Sequence, residues 1–284
     1  ETDANAIHAK WKVLSPRLGM PHMPPSGVSG LDLYARDAKG QWRWAAATRP
    51  SKQEMQATLL SGIAPGMREY AVYLPLYNGT ESLAIGVPAG AKFERLAPRK
   101  AKPLIFYGTS ITHGACASRP GMAHPAILGR RLDMPVINIG FSGNGKMHKE
   151  VGALMAEVDA AAYIIDCLPN MNAAAVNARC VPLVKQLRKA HPHTPIVLVE
   201  DRRNANSWLV PSRSKHHDAN HAALRKAYEQ LKAAGVKNLH YLSGDALLGD
   251  DGEGTTDGSH PNDLGFIRQA NAFEPVLRKA LKLK

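Results

Sequence analysis

The sequence has 284 residues, of which 44% are hydrophobic and 21% are charged, enough for one large domain or two modest ones. It contains no run of about 18 apolar residues, which excludes a membrane-spanning helix and argues against stable membrane insertion. The net charge of +12 is spread along the chain rather than gathered with aromatic residues in a basic stripe, which argues against nucleic acid as a partner.

The three cysteines also limit the possible chemistry. Cys116, Cys167 and Cys180 are odd in number and widely spaced, so we expect buried thiols rather than a disulfide framework or a zinc site. The sequence begins at Glu1 without a methionine. We expect an exported bacterial protein, periplasmic or extracellular, with a cytoplasmic location as the alternative. The sequence does not indicate an oligomeric state.

Residues 1–100 are predicted to form a β-sandwich. Short segments rich in β-branched and aromatic residues alternate with Gly, Pro and Asn at the spacing typical of that fold. The predicted strands are His8–Leu14, Leu31–Arg36, Trp42–Thr48, Met55–Leu60, Tyr70–Tyr77 and Ser82–Val87. Asn78-Gly79 predicts a hairpin between the last two. Trp11, Trp42 and Trp44 are predicted either to belong to the core or to bind a sugar by stacking.

After the connector Pro98–Pro103, residues 101–284 show a different pattern, in which apolar strands alternate with helices. The predicted strands are Leu104–Tyr107, Pro135–Ile139, Ala162–Asp166, Ile196–Val199 and Asn238–Tyr241, and the predicted helices cover residues 122–132, 146–159, 173–190, 213–234 and 262–282. This alternation predicts a parallel sheet that is covered by helices on both faces.

A candidate nucleophile follows the first of these strands. In Gly108-Thr109-Ser110, the serine lies on a turn between a buried strand and a helix, where an α/β fold exposes side chains at the carboxyl end of its sheet. A helix that begins at Ser110 would also direct its own backbone N–H toward a developing negative charge. A serine hydroxyl needs an adjacent base, however.

The best candidates for that base and its orienting acid are His260 and Asp257, in Thr256-Asp257-Gly258-Ser259-His260 before the final helix. The Asp-x-x-His spacing lets the carboxylate accept from one ring nitrogen while the other faces Ser110. A lone histidine is more often a surface or structural residue, and the chain has 12.

Two further loops offer oxyanion donors. Gly143 lies in the glycine-rich loop after the second strand, where a backbone N–H can approach a ligand; a phosphate-binding loop is the weaker alternative. Asn170 follows the third strand, and its amide is either a second donor or a turn former.

The order of Ser110, Gly143, Asn170 and the Asp257–His260 pair resembles the four sequence blocks of the SGNH, or GDSL-like, hydrolases. Gly30-Leu31-Asp32-Leu33-Tyr34 resembles the GxDLY element of the β domain that precedes one SGNH subfamily, so the resemblance covers nearly the whole chain. It implies a three-layer, flavodoxin-like hydrolase domain after a jelly-roll-like β-sandwich, and ester hydrolysis without a cofactor. The chain departs from the pattern at Thr109, where many relatives have Asp, and around Leu168 to Met171, where relatives have Gly-x-Asn-Asp.

Three other features have competing interpretations. His217 and His221 are four residues apart on a predicted helix and either bind zinc or lie on its solvated face, the interpretation that we favour. Trp208 lies in a long polar connection that is either a substrate lid or an ordinary surface loop. Cys116 follows Ser110 closely but has no activating neighbour.

The sequence therefore predicts a serine esterase that acts on short acyl esters, acetyl groups above all, with carbohydrate esters and small-molecule esters as candidate substrates. The alternatives are an acyltransferase that uses the same residues and a glycan-binding protein with an inactive hydrolase domain.

Overall fold

The computed structural model describes residues 1–283 and divides the chain into two compact units. The first unit contains Glu1–Lys100 and the short segment Cys116–Met122, and the second contains Ala101–Ala115 and the chain from Ala123 onward. The sequence placed one boundary, at residue 100, whereas this short segment groups with the first unit. None of the helices within residues 1–283 is long and apolar enough to span a membrane.

The first unit is built from six strands, close to the predicted positions. They are β1 (Ala6–Val13), β2 (Asp32–Arg36), β3 (Trp42–Ala47), β4 (Glu54–Ser61), β5 (Tyr70–Tyr73) and β6 (Thr80–Gly86), with a short helix α1 (Pro25–Val28) before β2. They form two three-stranded antiparallel sheets, in the orders β4-β1-β6 and β3-β2-β5.

The alternation of residues along β1 explains the core of this unit. Ala9, Trp11 and Val13 point inward and are buried with Leu31 and Met55, because successive side chains of a strand face opposite sides. The lysines between them face outward and form ion pairs with glutamates of the two neighbouring strands. The predicted β domain is therefore confirmed.

The predicted hairpin at Asn78-Gly79 is wrong. Strands β5 and β6 belong to different sheets, so this dipeptide connects sheets rather than paired strands. Asn78 is buried; its amide nitrogen donates to Ser15 O (2.9 Å) and Ser29 Oγ (3.0 Å), and its oxygen accepts from the Ser15 N–H (2.9 Å). Asn78 thus satisfies the backbone of a neighbouring loop.

The three tryptophans of the first unit differ in exposure. Trp11 belongs to the core, as one of the two interpretations predicted. Trp42 lies under the guanidinium of Arg36, 4.4 Å from the ring centre. Trp44 is 55% exposed and donates to the fully buried carboxylate of Asp32 (3.1 Å).

Asp32 also holds the short segment Cys116–Met122. Its Oδ2 accepts from the backbone N–H of Gly121 and from Arg119, each at 2.8 Å. The guanidinium of Arg119 lies over the ring of Trp44, 5.3 Å from its centre. These donors offset the free-energy cost of burying the Asp32 carboxylate.

Up to residue 283, the second unit contains five strands and six helices, in the predicted alternation. These are β7 (Leu104–Gly108), α2 (Ser110–His113), α3 (His124–Arg131), β8 (Val136–Gly140), α4 (Lys149–Ala156), β9 (Ala162–Asp166), α5 (Ala173–Ala190), β10 (Ile196–Val199), α6 (Pro211–Ala233), β11 (Leu239–Leu242) and α7 (Asp263–Leu281). All five strands are parallel, in the order β11-β10-β9-β7-β8. This is the flavodoxin-like order, so the predicted fold is confirmed.

Helices cover both faces of this sheet. Helix α3 packs against α7, and α5 packs against α4 and α6. Phe106 of β7 contacts Phe273 of α7, while its neighbours Ile105 and Tyr107 belong to the core beneath α5 and α6. Because β7 and β9 are adjacent while their connections run in opposite directions, a crevice opens at their carboxyl ends.

Candidate active site

Ser110 lies at the end of β7, as the first residue of the four-residue helix α2. Thr109 has an extended backbone and caps the helix, since its Oγ1 accepts from the N–H of Ile111 at 3.2 Å. The threonine that distinguishes this chain from the Asp-containing pattern therefore caps the helix. Ser110 itself is 9% exposed.

Ser110, His260 and Asp257 are joined in series by hydrogen bonds. Ser110 Oγ lies 2.9 Å from His260 Nε2, and His260 Nδ1 lies 2.7 Å from Asp257 Oδ2. The proton of the ring must be on Nδ1 for the carboxylate to accept it, which leaves Nε2 to accept from the serine hydroxyl. These distances permit transfer of a proton from Ser110 to His260.

The Asp257 carboxylate also organises its own turn. Its Oδ1 accepts from the backbone N–H of Ser259 (3.0 Å) and of His260 (2.8 Å). Partial burial by itself would raise the pKa of Asp257, but the hydrogen bonds from His260 and Ser259 outweigh it and lower the pKa to about 2. Asp257 is therefore an anion at any neutral pH.

Gly143 lies in a turn that follows β8. The turn is closed by a hydrogen bond from Asn144 N–H to Phe141 O (2.9 Å), and Gly143 has a φ of +70°, which favours glycine. The Phe141 N–H donates to Gly108 O at 2.9 Å, which ties this loop to the end of β7.

Gly145 has a structural importance that the sequence analysis missed. A Cβ at this position would lie 1.9 Å from Gly108 O and 3.0 Å from Thr109 N, far inside van der Waals contact. The loop of Gly143 can therefore approach the Ser110 turn only because residue 145 has no side chain. The sequence showed a glycine-rich loop but not which of its glycines makes this contact.

Asn170 ends a short 3-10 helix (Leu168–Asn170) after β9. In one orientation of its amide, Oδ1 accepts from the N–H groups of Asn144 (3.1 Å) and Gly145 (3.3 Å); the opposite one offers a single 3.4 Å bond to Phe141 O. The first orientation satisfies more groups and is the better assignment. In this orientation the amide oxygen accepts from the glycine loop and the NH₂ of Asn170 remains a donor.

The prediction that His217 and His221 lie on a solvated helix face is wrong. Both side chains are buried on α6. His217 Nδ1 lies 3.2 Å from Asp201 Oδ2, and His221 Nδ1 lies 3.5 Å from Glu200 Oε2. The four-residue spacing places both histidines on one face of α6. The sequence does not show that this face packs against the buried carboxylates that follow β10.

The remaining candidates have simpler environments. All three cysteines are buried, and Cys116 is part of the first unit. Trp208 is 83% exposed, in the polar connection after β10. Whether this connection is a lid stays a prediction.

A second carboxylate lies below α2. Asp166, the last residue of β9, is 5% exposed, and its Oδ2 accepts from Thr112 Oγ1 at 2.8 Å. Burial raises the pKa of Asp166 to about 7, against the Thr112 hydrogen bond, which lowers it. His124 Nε2 lies 3.8 Å away, and complete burial lowers the pKa of this histidine to about 3, so it is neutral.

Comparison with protein families agrees with this architecture. Residues 101–278 match the GDSL-like lipase/acylhydrolase family, and residues 1–93 match the GxDLY domain found at the N-terminus of SGNH-hydrolase-type esterases. No curated protein matches the sequence.

Solved structures share the fold of this chain. A protein described as a GDSL-like lipase from Bacteroides ovatus ATCC 8483 is 37% identical, with a TM-score of 0.94 over 100% of this chain and 83% of its own. Salicylyl-acyltransferase SsfX3 from a tetracycline biosynthetic pathway is 20% identical, with a TM-score of 0.76 over 98% of this chain and 80% of its own. A family two carbohydrate esterase from Clostridium thermocellum, solved with cellohexaose, is 14% identical, with a TM-score of 0.69 over 99% and 91%. At these identities the last two show the fold alone.

The family match covers more than half of the chain, and the 37% identical relative aligns with all of it. The chain therefore belongs to the GDSL-like lipase/acylhydrolase family, in the branch with an N-terminal GxDLY domain, and is a carboxylic ester hydrolase.

Proposed function

We propose that this chain is a serine esterase that removes short acyl groups, acetyl above all, through an acyl-enzyme formed on Ser110. The observation that carries the proposal is the hydrogen-bonded series from Ser110 Oγ through His260 to Asp257, at 2.9 Å and 2.7 Å. Neither a lone serine on a turn nor a lone Asp-His pair would suffice.

In the first step, Ser110 Oγ attacks the ester carbonyl while His260 Nε2 accepts its proton. The Asp257 carboxylate holds the ring in the required tautomer and stabilises the imidazolium that forms. His260 then gives the proton to the departing alcohol. In the second step, water attacks the acyl carbon while His260 Nε2 accepts its proton. The bond between the acyl carbon and Ser110 Oγ then breaks, His260 returns the proton to Ser110 Oγ, and acetate or another short acid is released.

The negative charge that develops on the carbonyl oxygen needs fixed donors. We assign this role to the N–H groups of Ser110 and Gly143 and to the NH₂ of Asn170. The loop of Gly143 is tied to Gly108, and the oxygen of the Asn170 amide accepts from the same loop, so both donors are restrained in advance. Removing one such donor typically slows turnover ~10²–10³-fold.

For the substrate, we propose an acyl ester on a carbohydrate. The support is the shared fold with a carbohydrate esterase solved with cellohexaose and with an acetyl xylan esterase of a rumen bacterium, Butyrivibrio proteoclasticus. Screening p-nitrophenyl esters of increasing acyl length, and then acetylated oligosaccharides, tests both halves of this proposal. Faster turnover of long-chain p-nitrophenyl esters than of p-nitrophenyl acetate would contradict the proposal.

The central experiment is Ser110→Ala, assayed on p-nitrophenyl acetate, with Ser212→Ala as the control because Ser212 is an exposed serine of the same unit. We expect hydrolysis to disappear in the first variant and stay at the wild-type rate in the second. A fluorophosphonate should label wild-type protein on Ser110. Wild-type activity in Ser110→Ala, or a folded wild-type protein that does not label, would overturn the proposal.

An acyltransferase is the second candidate, because an acyl-enzyme on Ser110 reacts with any well-placed hydroxyl and a salicylyl-acyltransferase shares this fold. Measuring hydrolysis and transfer at rising concentrations of a sugar acceptor separates the two. A product ratio that does not change with acceptor concentration excludes transfer.

A further inference from the structure

A buried arginine lies behind the turn that carries Asp257 and His260. Arg202 follows β10 by three residues and is 6% exposed. Its Nε donates to Ser259 O (3.1 Å), and its second terminal nitrogen donates to Ser259 Oγ (2.9 Å). Two donors on one edge of the guanidinium thus hold one residue, and that residue directly precedes His260.

Ser259 is held on all its polar groups. Its carbonyl and hydroxyl oxygens accept from Arg202, while its N–H donates to Asp257 Oδ1 at 3.0 Å. The peptide that joins Ser259 to His260 is fixed at both ends, because its carbonyl oxygen accepts from Arg202 and its N–H, that of His260, donates to Asp257 Oδ1 at 2.8 Å. A rotation of this peptide would swing the His260 ring away from Ser110.

Arg202 is itself anchored from behind. Its remaining terminal nitrogen donates to Asp201 Oδ1, and the other oxygen of this buried carboxylate lies 3.2 Å from His217 Nδ1. The backbone carbonyl of Asp201 accepts from His221 Nε2 at 2.7 Å. Both buried histidines of α6 thus lie against Asp201, the residue whose carboxylate accepts from Arg202.

A second tie supports the same turn. The N–H of Ala205 donates to Gly258 O at 2.9 Å, so the connection after β10 also holds the residue before Ser259. Without such supports, a turn in which the Asp257 side chain is 38% exposed and the His260 side chain 25% exposed would be free to move.

We propose that Arg202 is a positioning residue that keeps His260 Nε2 within hydrogen-bonding distance of Ser110 Oγ. It touches neither the substrate nor the reacting atoms and acts through Ser259. The inference rests on the proposed function, because it presumes that His260 is the base. A planar guanidinium suits this task, since it offers donors at fixed angles that a lysine ammonium does not reproduce.

The test compares Arg202→Lys, Arg202→Ala and Ser259→Ala with Arg188→Ala. Arg188 is the matched control: it also donates to several backbone carbonyls, those of His191, Pro192 and Thr194 among them, but at the opposite end of the sheet. The readouts are kcat and KM on p-nitrophenyl acetate, the rate of fluorophosphonate labelling and the melting temperature.

We expect kcat to fall by about 10²-fold in Arg202→Ala, because a base displaced by about 1 Å costs that much. The labelling rate should fall in parallel, KM should stay within about threefold, and Arg202→Lys should recover little. Millimolar guanidinium, but not sodium chloride, should restore part of the activity of Arg202→Ala. Ser259→Ala should lower kcat by about 2- to 10-fold, because it removes one of the two acceptors. Arg188→Ala should lower the melting temperature and leave kcat unchanged.

Wild-type kcat in folded Arg202→Lys and Ser259→Ala would overturn the proposal, and these two variants decide if Arg202→Ala fails to fold. A loss of kcat that matches only the loss of folded protein, as Arg188→Ala would show on heating, would also overturn it. Failure of the proposed function looks different, because wild-type and Ser110→Ala proteins would then have equal activity. In that event, a crystal structure of Arg202→Lys with an unchanged Ser110–His260 distance would still count against the positioning role.

Discussion

Two carboxylates of the second unit, Asp257 and Asp166, are shifted in opposite directions. Asp257 lies on a partly exposed turn and accepts hydrogen bonds from His260 and Ser259, and its pKa falls to about 2. Asp166 lies under α2, and burial raises its pKa to about 7 even though Thr112 donates to it. The comparison teaches that the number of donors, set against the degree of burial, decides which carboxylate is a dependable anion.

The largest effect on kcat should come from replacing Asp257, the carboxylate that is ionised at neutral pH. In Asp257→Asn, the amide cannot hold His260 in the required tautomer or stabilise its charged form, so we expect kcat on p-nitrophenyl acetate to fall about 10⁴-fold with little change in KM. Asp218→Asn, on the exposed side of α6, is the control and should retain wild-type kcat. If Asp257→Asn retained a tenth of the wild-type kcat, Asp257 would not be the orienting acid.

The next effect concerns stability and pH. The folded-state pKa of Asp166 lies above its unfolded value, so its contribution is fully present below about pH 4 and is lost as pH rises through about 7. Asp166→Asn does not titrate and should escape this loss. We expect the free energy of unfolding of the variant, relative to wild type, to rise by as much as about 4 kcal/mol between these limits.

Urea unfolding of both proteins at intervals from acid to mildly alkaline pH measures this difference directly. Taking the difference removes the groups that titrate equally in both proteins. His124, with a pKa lowered to about 3, stays neutral in both folded proteins over this range, and its titration in the unfolded chain is common to both and cancels in the difference. Two stability curves that run parallel would show that the pKa of Asp166 is the same in the folded and the unfolded chain, and would contradict the prediction.

A smaller change sharpens the same comparison from the donor side. Thr112→Val removes the hydroxyl that donates to Asp166 at 2.8 Å while it keeps the branched shape of the side chain. We expect a loss of about 1–2 kcal/mol above pH 7, where the carboxylate is ionised and loses a donor, and a smaller loss at acid pH. A loss that does not depend on pH would mean that packing, not the hydrogen bond, holds Thr112.

Much of the fold was predictable, because its signals are local. The strands of the second unit are continuous apolar runs such as Ile196–Val199, so their ends could be read from the sequence. The loops that carry the functional residues come directly after those ends and could therefore be predicted too. The prediction of a hairpin at Asn78-Gly79 was wrong because the pairing of two strands is not a local property. A turn dipeptide says that the chain bends, but not that the two flanking strands pair.

In the candidate active site, too, contacts between residues close in sequence could be predicted and contacts between distant residues could not. Asp257 and His260 are three residues apart, so their contact could be predicted, and the serine that they serve was singled out by its place after a strand. Arg202 and Ser259 are 57 residues apart, and nothing in the polar run after β10 indicates that its arginine is buried. Contacts that depend on a distant partner require the folded chain, even when both residues are ordinary in sequence.

The smallest effect returns to Asp257, now as a contributor to stability. Its folded-state pKa lies below the unfolded value, so its contribution is present above about pH 4 and is lost as pH falls toward about 2, the opposite sign to Asp166. Because its side chain is 38% exposed, solvent screening should keep that contribution under about 1 kcal/mol. Urea unfolding of wild type and Asp257→Asn should therefore differ by less than this amount at neutral pH and converge in acid. A difference of several kcal/mol would mean that Asp257 stabilises the fold in addition to orienting His260. The effect of the substitution on kcat would then have to be separated from its effect on unfolding.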